Sequence, residues 1–395
     1  MSDTIVITGT GVVSPLGVGS STFMNAIRQG QSAINKRRFS SGLSVGAQFT
    51  TPFVSDIDKK HTFLMDPVSH YAVVAAKEAM LMAGLENFPP SKIGVMMGVG
   101  VGGIETLDIA YTKLLTEKGK VNPFAIPKIM PSAPASNISI LLGIKGPCFS
   151  VTSACASSAH AIINGALWLQ AGLVDAMIVG GAEAPFAPGL LQAWHSMRIM
   201  ADDTCRPFSI KRRGMVLGEG AGTLVLERLA DAKKRGATIL AVLKGFSANA
   251  DSSHMVKPDE TSIMKAISLA LDNASVSLNE VGHINAHGTG TALNDVIESA
   301  AIATVFGDSR PYVSGTKGAT GHALGAASAL EAIICIHALQ GQWVPPTLNS
   351  LGVDEACSNI NVVAETIDNK DYSVAISHSF AFGGLNAVLI FSGLE

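Results

Sequence analysis

One cysteine and two histidines stand in settings that suit chemistry. Cys155 lies in Ser150-Val-Thr-Ser-Ala-Cys-Ala-Ser-Ser-Ala-His160. Each histidine lies in a glycine-rich turn, Asn285-Ala-His287-Gly-Thr-Gly-Thr291 and Lys317-Gly-Ala-Thr-Gly-His322-Ala-Leu-Gly325. A thiol with two separated imidazoles is a nucleophile with acid/base or hydrogen-bonding helpers, a set that points to acyl transfer. The residues after Cys155 are small and then amphipathic, which predicts that it sits at the first turn of a helix. Unpaired amides and the helix dipole there favour a thiolate. A lone cysteine among alanines and serines is more often inert filler, and Cys148, Cys205, Cys335 and Cys357 keep that reading. His287 follows a short apolar run and should project from a strand end into a cleft. His322 follows a glycine turn, with Lys317 just upstream. Either histidine alone would pass as structural, the fate of most of the ten in this chain. Two of them in glycine-flanked turns, beside a candidate nucleophile, mark a site.

The elements that must position these residues read as α/β. Short aliphatic runs, such as Ile5–Ile7, Ile93–Met97, Ala176–Val179, Gly222–Leu226 and Ala387–Phe391, alternate with alanine-rich stretches of helical period. Helices are predicted at Asp66–Ala83, Ala156–Ala171, Asp259–Asn273, Asp295–Phe306 and Ala323–Gln340. The polar stretch Asp231–Thr238 is the most plausible seam between two halves. Residues 1–235 would carry Cys155, and residues 236–395 would carry His287, Lys317 and His322. Lys113–Ala135, rich in lysine and proline, reads as an excursion over the surface or a dimer interface.

Composition narrows the function. Of 395 residues, 47% are hydrophobic and only 15% charged, against a usual charged fraction of about 25%. Such a surface predicts burial against a partner subunit, most simply in a twofold homodimer. A net charge of −3 gives no electrostatic footprint for nucleic acid. Five cysteines without a Cys-x-x-Cys pair or a cysteine–histidine cluster fit reduced thiols in the cytoplasm and no metal site. The start, Met-Ser-Asp-Thr-Ile-Val-Ile-Thr-Gly, reads as a first strand and not a signal peptide. No uninterrupted apolar run approaches the roughly 20 residues of a membrane span, so a soluble protein without membrane insertion is expected. Thr8-Gly-Thr-Gly11 and Gly98–Gly103 invite a dinucleotide reading, but neither has the acidic residue at the end of a second strand that the motif needs. Tight turns account for them better, and an NAD-dependent oxidoreductase stays a distant alternative.

Taken together, these segments resemble the elongating β-ketoacyl-ACP synthases of the thiolase superfamily. The resemblance runs from Val6-Ile-Thr-Gly-Thr-Gly-Val-Val-Ser-Pro-Leu-Gly17 through Arg206-Pro-Phe208 and Gly218-Glu-Gly-Ala-Gly222 to Ser379-Phe-Ala-Phe-Gly-Gly-Leu-Asn386. It implies a thiolase-like fold of duplicated βαβαβ halves in five α-β-α-β-α layers. It also implies a decarboxylative Claisen condensation, in which malonyl-ACP is joined to an acyl chain held as a thioester on Cys155. In that scheme His287 and His322 serve as neutral hydrogen-bond donors, with Lys317 beside them and Glu331 holding the lysine. The backbone amides of Cys155 and Phe382 form an oxyanion hole. Thr289 and Thr291 hold the phosphopantetheine arm, and Phe380, Phe382 and Gly383 belong to a gating loop. Lys59, Lys60 and Lys128 are carrier-protein contacts, and Val101, Ala125 and Met215 line the acyl pocket. No cofactor is implied beyond the carrier's phosphopantetheine. The partners are acyl carrier protein and a second subunit, either an identical chain or a chain-length-factor-like one.

Several residues depart from the family pattern. Ser209 and Arg213 replace aspartates, Met215 an aromatic residue, Ala381 a glycine and His378 an asparagine. Phe63 and Leu64 partly replace basic residues before Met65-Asp66. These departures imply a specialised synthase, for a polyene or polyketide more than for housekeeping fatty-acid synthesis. A thiolase would want a second cysteine where Phe382-Gly-Gly-Leu385 stands. Starter-condensing synthases carry asparagine in place of His322, and non-catalytic chain-length factors typically lack the cysteine.

Overall fold

The computed structural model of the chain describes residues 4–37, 39–117 and 119–394. The strands that build its main sheet framework, in chain order, are β1 (Ile5–Ser14), β2 (Ile93–Val99), β3 (Cys148–Val151), β4 (Ala176–Glu183), β5 (Gly220–Arg228) and β6 (Ala241–Ala250). They continue with β7 (Val281–Asn285), β8 (Tyr312–Ser314), β9 (Asn361–Val362), β10 (Val374–Ala381) and β11 (Leu385–Ser392). The helices that matter here are α1 (Pro67–Ala83), α2 (Ile104–Thr116), α3 (Ala133–Leu142), α4 (Ser157–Gln170), α5 (Pro188–Ser196), α6 (Glu260–Ala274), α7 (Ala292–Phe306) and α8 (Ala327–Gly341). Their ends follow local chemistry. The Asp66 carboxylate accepts from the Val68 amide, Pro67 takes the first helical position, and Gly84 closes α1 in the left-handed region. Asp259 starts α6 in the same way by accepting from the Ser262 amide.

The strand order is β3-β2-β4-β5-β1 in the first half and β8-β7-β10-β11-β6 in the second, with the short β9 beyond β8. Counted from the start of each half, the two orders are identical. In both, three parallel strands are followed by two antiparallel ones. Helices α1 and α3 cover the outer face of the first sheet, and α6 and α7 that of the second, while α4 and α8 lie between the sheets. This is the five-layered, duplicated thiolase-like arrangement. The two sheets also join edge to edge, because β1 pairs antiparallel with β6 through Ile5–Leu243, Val6–Val242 and Ile7–Ala241.

Strands β1, β2 and β4 are buried along their whole length and β5 up to its last residue, as expected between helical layers. Central helix α8 is buried at every residue from Ala327 to Ile336. The stretch Leu324–Gly341 is long and apolar enough to cross a membrane by composition alone, and 83% of it lies inside the fold. It is a core helix, matching the Ala323–Gln340 span predicted from the sequence, and Glu331 and His337 interrupt its apolar run. The glycines of Thr8-Gly-Thr-Gly11 have a packing role. A Cβ on Gly9 or Gly11 would overlap the carbonyl oxygens of Ala79 and Ala75 on α1. Close helix-on-strand approach, not a nucleotide, requires them.

The stretch Lys113–Ala135 is not a single excursion. Helix α2 runs on to Thr116, and a short helix occupies Ala125–Ile129. This region exposes large apolar side chains, including Leu115 (75%) and Ile126 (62%).

Candidate active site

Cys155 sits one turn earlier than the sequence suggested. It lies in the 3-10 turn Ala154–Ala156, between β3 and the start of α4. Ala154 has a φ of 49°, a left-handed conformation that a residue with a Cβ rarely adopts. The turn is held from outside. The Ser157 hydroxyl donates to the Ala154 carbonyl at 2.6 Å, and Ser328 of α8 donates to the Cys155 carbonyl at 2.9 Å. Such strained strand-to-helix elbows cluster at functional sites because they aim a side chain outward.

The second half brings in the imidazoles. His287 leaves the end of β7, and His322 follows the helical turn Lys317–Thr320. The His322 amide donates to the Val216 carbonyl at 2.7 Å, and the Gly218 amide donates back to the His322 carbonyl at 2.9 Å. A segment of the first half thus fixes this histidine. Nε2 of His322 lies 3.0 Å from Sγ of Cys155, and the two histidine rings are 5.5 Å apart, edge to face. Donor atoms of Cys155, His287 and His322 all lie within 4.8 Å of one another. That spacing would also suit a metal, but the Lys317 ammonium beside them opposes a second cation. Lys317 is fully buried. Its Nζ donates to the His287 carbonyl and to Oε1 of Glu331, each at 2.5 Å, and lies 3.4 Å from His287 Nδ1. An ammonium only donates, so His287 Nδ1 accepts and Nε2 carries the ring hydrogen.

A cavity of about 290 Å³ opens onto this trio. Cys155, His287 and His322 line it together with Met215, Thr289, Thr291, Phe380, Ala381 and Phe382. Val101, Ala125 and Gly383 do not line it. The Phe382 amide is directed at the Cys155 sulfur. Thr289 and Thr291 share a hydroxyl–hydroxyl hydrogen bond of 2.9 Å. Phe380 is a buried residue of β10, its ring 6.3 Å from that of His287. Phe382 lies in the turn between β10 and β11, its ring 5.9 Å from that of Trp194. Gly384 in that turn has a φ of 69°, and a Cβ there would strike the Asp251 side chain. Lys59 and Lys60 begin the short helix Lys59–Thr62, where Lys60 reaches Asp58 at 3.3 Å. Lys128 lies 5.2 Å over the Phe63 ring. Ser209 is buried and structural: its hydroxyl accepts from the Leu351 amide and lies within hydrogen-bonding distance of the Ile210 and Gly352 carbonyls. Arg213 is 66% exposed and faces Asp202 at 3.5 Å.

Similarity to known proteins agrees with this geometry. The family description "Beta-ketoacyl synthase, N-terminal domain" matches residues 2–232, and "Beta-ketoacyl synthase, C-terminal domain" matches residues 240–350. The chain is a β-ketoacyl synthase. Nodulation protein E of Rhizobium sp. (strain N33) is 42% identical over 400 residues, covering 99% of both chains. The 3-oxoacyl-[acyl-carrier-protein] synthase 2 of Staphylococcus aureus (strain N315) is 36% identical over 99% of this chain and 98% of its own. The solved structure "The ishigamide ketosynthase/chain length factor" superposes with a TM-score of 0.93 at 31% identity, covering 99% of each chain. The synthase is accordingly an acyltransferase of the condensing type.

Residues that the motifs did not reveal complete the site. The Glu298 carboxylate of α7 accepts from the amides of His287 (2.7 Å) and Gly288 (2.8 Å). Asp295, one turn earlier, accepts from the Gly290 amide (3.2 Å) and the Phe208 amide (2.8 Å). Together they fix the turn that carries His287. Glu183, at the end of β4, accepts from Gly100 and Gly325 and ties the two halves together near the sulfur. An acid ending an all-apolar strand was the available signal for Glu183. Glu298 and Asp295 look like surface charges of an amphipathic helix until the turn packs on them.

Burial sets the protonation states of this synthase. It pushes the Cys155 thiol up to about 12, outweighing the lowering by Lys317 and by the Phe382 amide. Burial thus opposes the thiolate that the helix dipole, Lys317 and the Phe382 amide favour. Burial also pushes His287 and His322 well below the usual histidine range, and the Lys317 ammonium adds to this. Burial raises Glu331 to about 7, against the pull of Lys317. A testable pH dependence results. Protonated imidazole cannot form until the pH falls well below about 6.5, so malonyl-ACP decarboxylation should hold its rate as pH drops through that value. Lys317→Met removes one lowering cause, raises both imidazole pKa values and moves the acid limb to higher pH. Rate–pH profiles of the two proteins measure this, and coincident acid limbs would contradict the electrostatic role of Lys317.

Proposed function

We propose that this synthase elongates acyl chains carried on an acyl carrier protein, by decarboxylative condensation with malonyl-ACP. The observation that carries the reading is the buried contact of 3.0 Å between Cys155 Sγ and His322 Nε2, with His287 and Lys317 beside it. In the first half-reaction Cys155 attacks the carrier thioester. The carrier's thiolate leaves and takes up the thiol proton, which His322 is placed to pass on. The thiol is a weak acid here, so proton loss accompanies C–S bond formation. Amides of Cys155 and Phe382 receive the charge on the tetrahedral oxygen. In the second half-reaction malonyl-ACP loses carbon dioxide, and the electron pair of the broken C–C bond moves onto the thioester carbonyl. His287 and His322 donate hydrogen bonds to that oxygen. The resulting enolate carbon attacks the Cys155 thioester, which releases β-ketoacyl-ACP and restores the sulfur.

Lys317 helps burial hold the imidazoles neutral, and Glu331 holds Lys317 in place. Thr289 and Thr291 line the approach taken by the pantetheine arm, Met215 bounds the acyl end, and the Phe380–Gly383 segment gates the mouth. Lys59, Lys60 and Lys128 face the acidic carrier, although the ties of Lys60 to Asp58 and of Lys128 to Phe63 weaken their pull. Val101 and Ala125 lie outside the cavity and would shape the acyl pocket only from beyond its wall. No cofactor is required besides the carrier's prosthetic arm. All five cysteines are unbridged thiols, in keeping with a reducing, cytoplasmic compartment.

The test is intact-mass measurement of the synthase after incubation with saturated, polyunsaturated and aryl-primed acyl-ACPs. A single acyl adduct on Cys155 is expected, and its absence with every donor would refute the reading. Preference for a polyunsaturated or aryl chain assigns a secondary-metabolite pathway, and preference for saturated chains assigns fatty-acid elongation.

A second reading concerns the partner. The likeness to a ketosynthase/chain length factor structure favours a heterodimer with a chain-length-factor-like subunit, and the apolar faces of α2 and Ala125–Ile129 offer the surface. A homodimer would bury the same surface, so sedimentation of the chain alone separates the two.

A further inference from the structure

His378 stands where the family resemblance implies asparagine, and its surroundings give it a role. It lies on β10 and is fully buried. Its Nδ1 is 3.3 Å from Oε1 of Glu298, the same oxygen that accepts the His287 amide. The other oxygen of Glu298 accepts from Gly288 at 2.8 Å and from Asn294 Nδ2 at 3.2 Å. The Glu298 oxygens already accept from three N–H groups, and the geometry assigns the hydrogen of the fourth contact to His378 Nδ1 as its donor. The peptide units around His287 are thus clamped at two points. Glu298 holds the His287 N–H, and Lys317 holds its carbonyl. Lys317 is committed to Glu331, which leaves His378 as the side chain steadying Glu298 from the strand side. The contact is repeated through rings. His378 lies 5.1 Å from Phe380, and Phe380 lies 6.3 Å from His287.

We propose that His378 is a positioning residue for decarboxylation: by donating to Glu298 and packing on Phe380, it fixes the turn that presents the His287 donor. The inference rests on the function proposed above. It predicts that the two half-reactions separate. Cys155 acylation depends on the elbow and on His322, whereas the hydrogen bond and ring contact of His378 go to Glu298 and Phe380. Decarboxylation depends on His287, and misplacement of such a donor by about 1 Å costs up to about 10²-fold.

The experiment uses the full chain and measures two rates, acyl adduct formation on Cys155 by intact mass and carbon dioxide release from malonyl-ACP. His378→Leu keeps bulk but removes the donor. It should slow decarboxylation at least about tenfold while acylation stays within about twofold. His378→Asn restores a side-chain N–H and should bring decarboxylation back to within about threefold of wild type. Glu298→Gln gives an independent arm should His378→Leu not fold. It should show the same selective loss, and joining it to His378→Asn should add little further. Unchanged decarboxylation in His378→Leu would overturn the proposal. Equal slowing of both half-reactions, or no recovery in His378→Asn, would do the same. A wild-type protein that never forms the acyl adduct refutes the functional reading itself, an outcome visible without any variant.

Discussion

Cys155→Ala is expected to abolish condensation, with a loss of at least about 10³-fold, because no other group in the cavity can carry the acyl chain. The remaining thiols offer no substitute. Cys148, Cys205, Cys335 and Cys357 do not line the cavity, and burial holds Cys205 up to about 12. The alanine protein should form no acyl adduct by intact mass. It should still release carbon dioxide from malonyl-ACP within about tenfold of wild type, because His287, His322 and Lys317 keep their places. An adduct on a second cysteine, or condensation above about one per cent of wild type, would show that the sulfur at the elbow is not the acyl carrier.

His287→Ala should give the complementary result. Removing one preorganised donor at a developing oxyanion costs about 10²–10³-fold, so decarboxylation falls by that factor. Acylation of Cys155 should persist within a few-fold, because the sulfur's imidazole contact is His322. His322→Ala, by contrast, should slow both half-reactions. Single-turnover mass spectrometry for acylation and carbon dioxide release for decarboxylation separate the variants. Equal slowing of both steps in His287→Ala would show that the two imidazoles do not divide the work.

Much of this site was legible from the sequence because its parts sit in distinctive local settings. Cys155 precedes a run of small residues, and His287 and His322 each lie among glycines, so the motifs revealed themselves before any fold was known. The helices were legible where caps were present: Asp66-Pro67 and Asp259 mark starts that the structure places within one residue. What stayed hidden depends on long-range packing. Glu298 and Asp295 gain their roles only when the His287 turn folds back over α7. Trp194 becomes a wall of the cavity only because α5 lies against the Phe382 turn. Short strands such as β9 leave no mark in the sequence, since two residues carry no period. Exposed apolar residues on α2, such as Leu115, blur its amphipathic pattern.

The three-residue pairing of β1 with β6 makes the halves a single hydrogen-bonded body, with sulfur supplied from one side of that join and imidazoles from the other. Such a body resists hinge opening, since parting the halves would break backbone bonds and uncover the central helices at once. The cavity walls, drawn from Cys155, Met215 and Trp194 of one half and His287, His322 and Phe382 of the other, therefore keep their spacing.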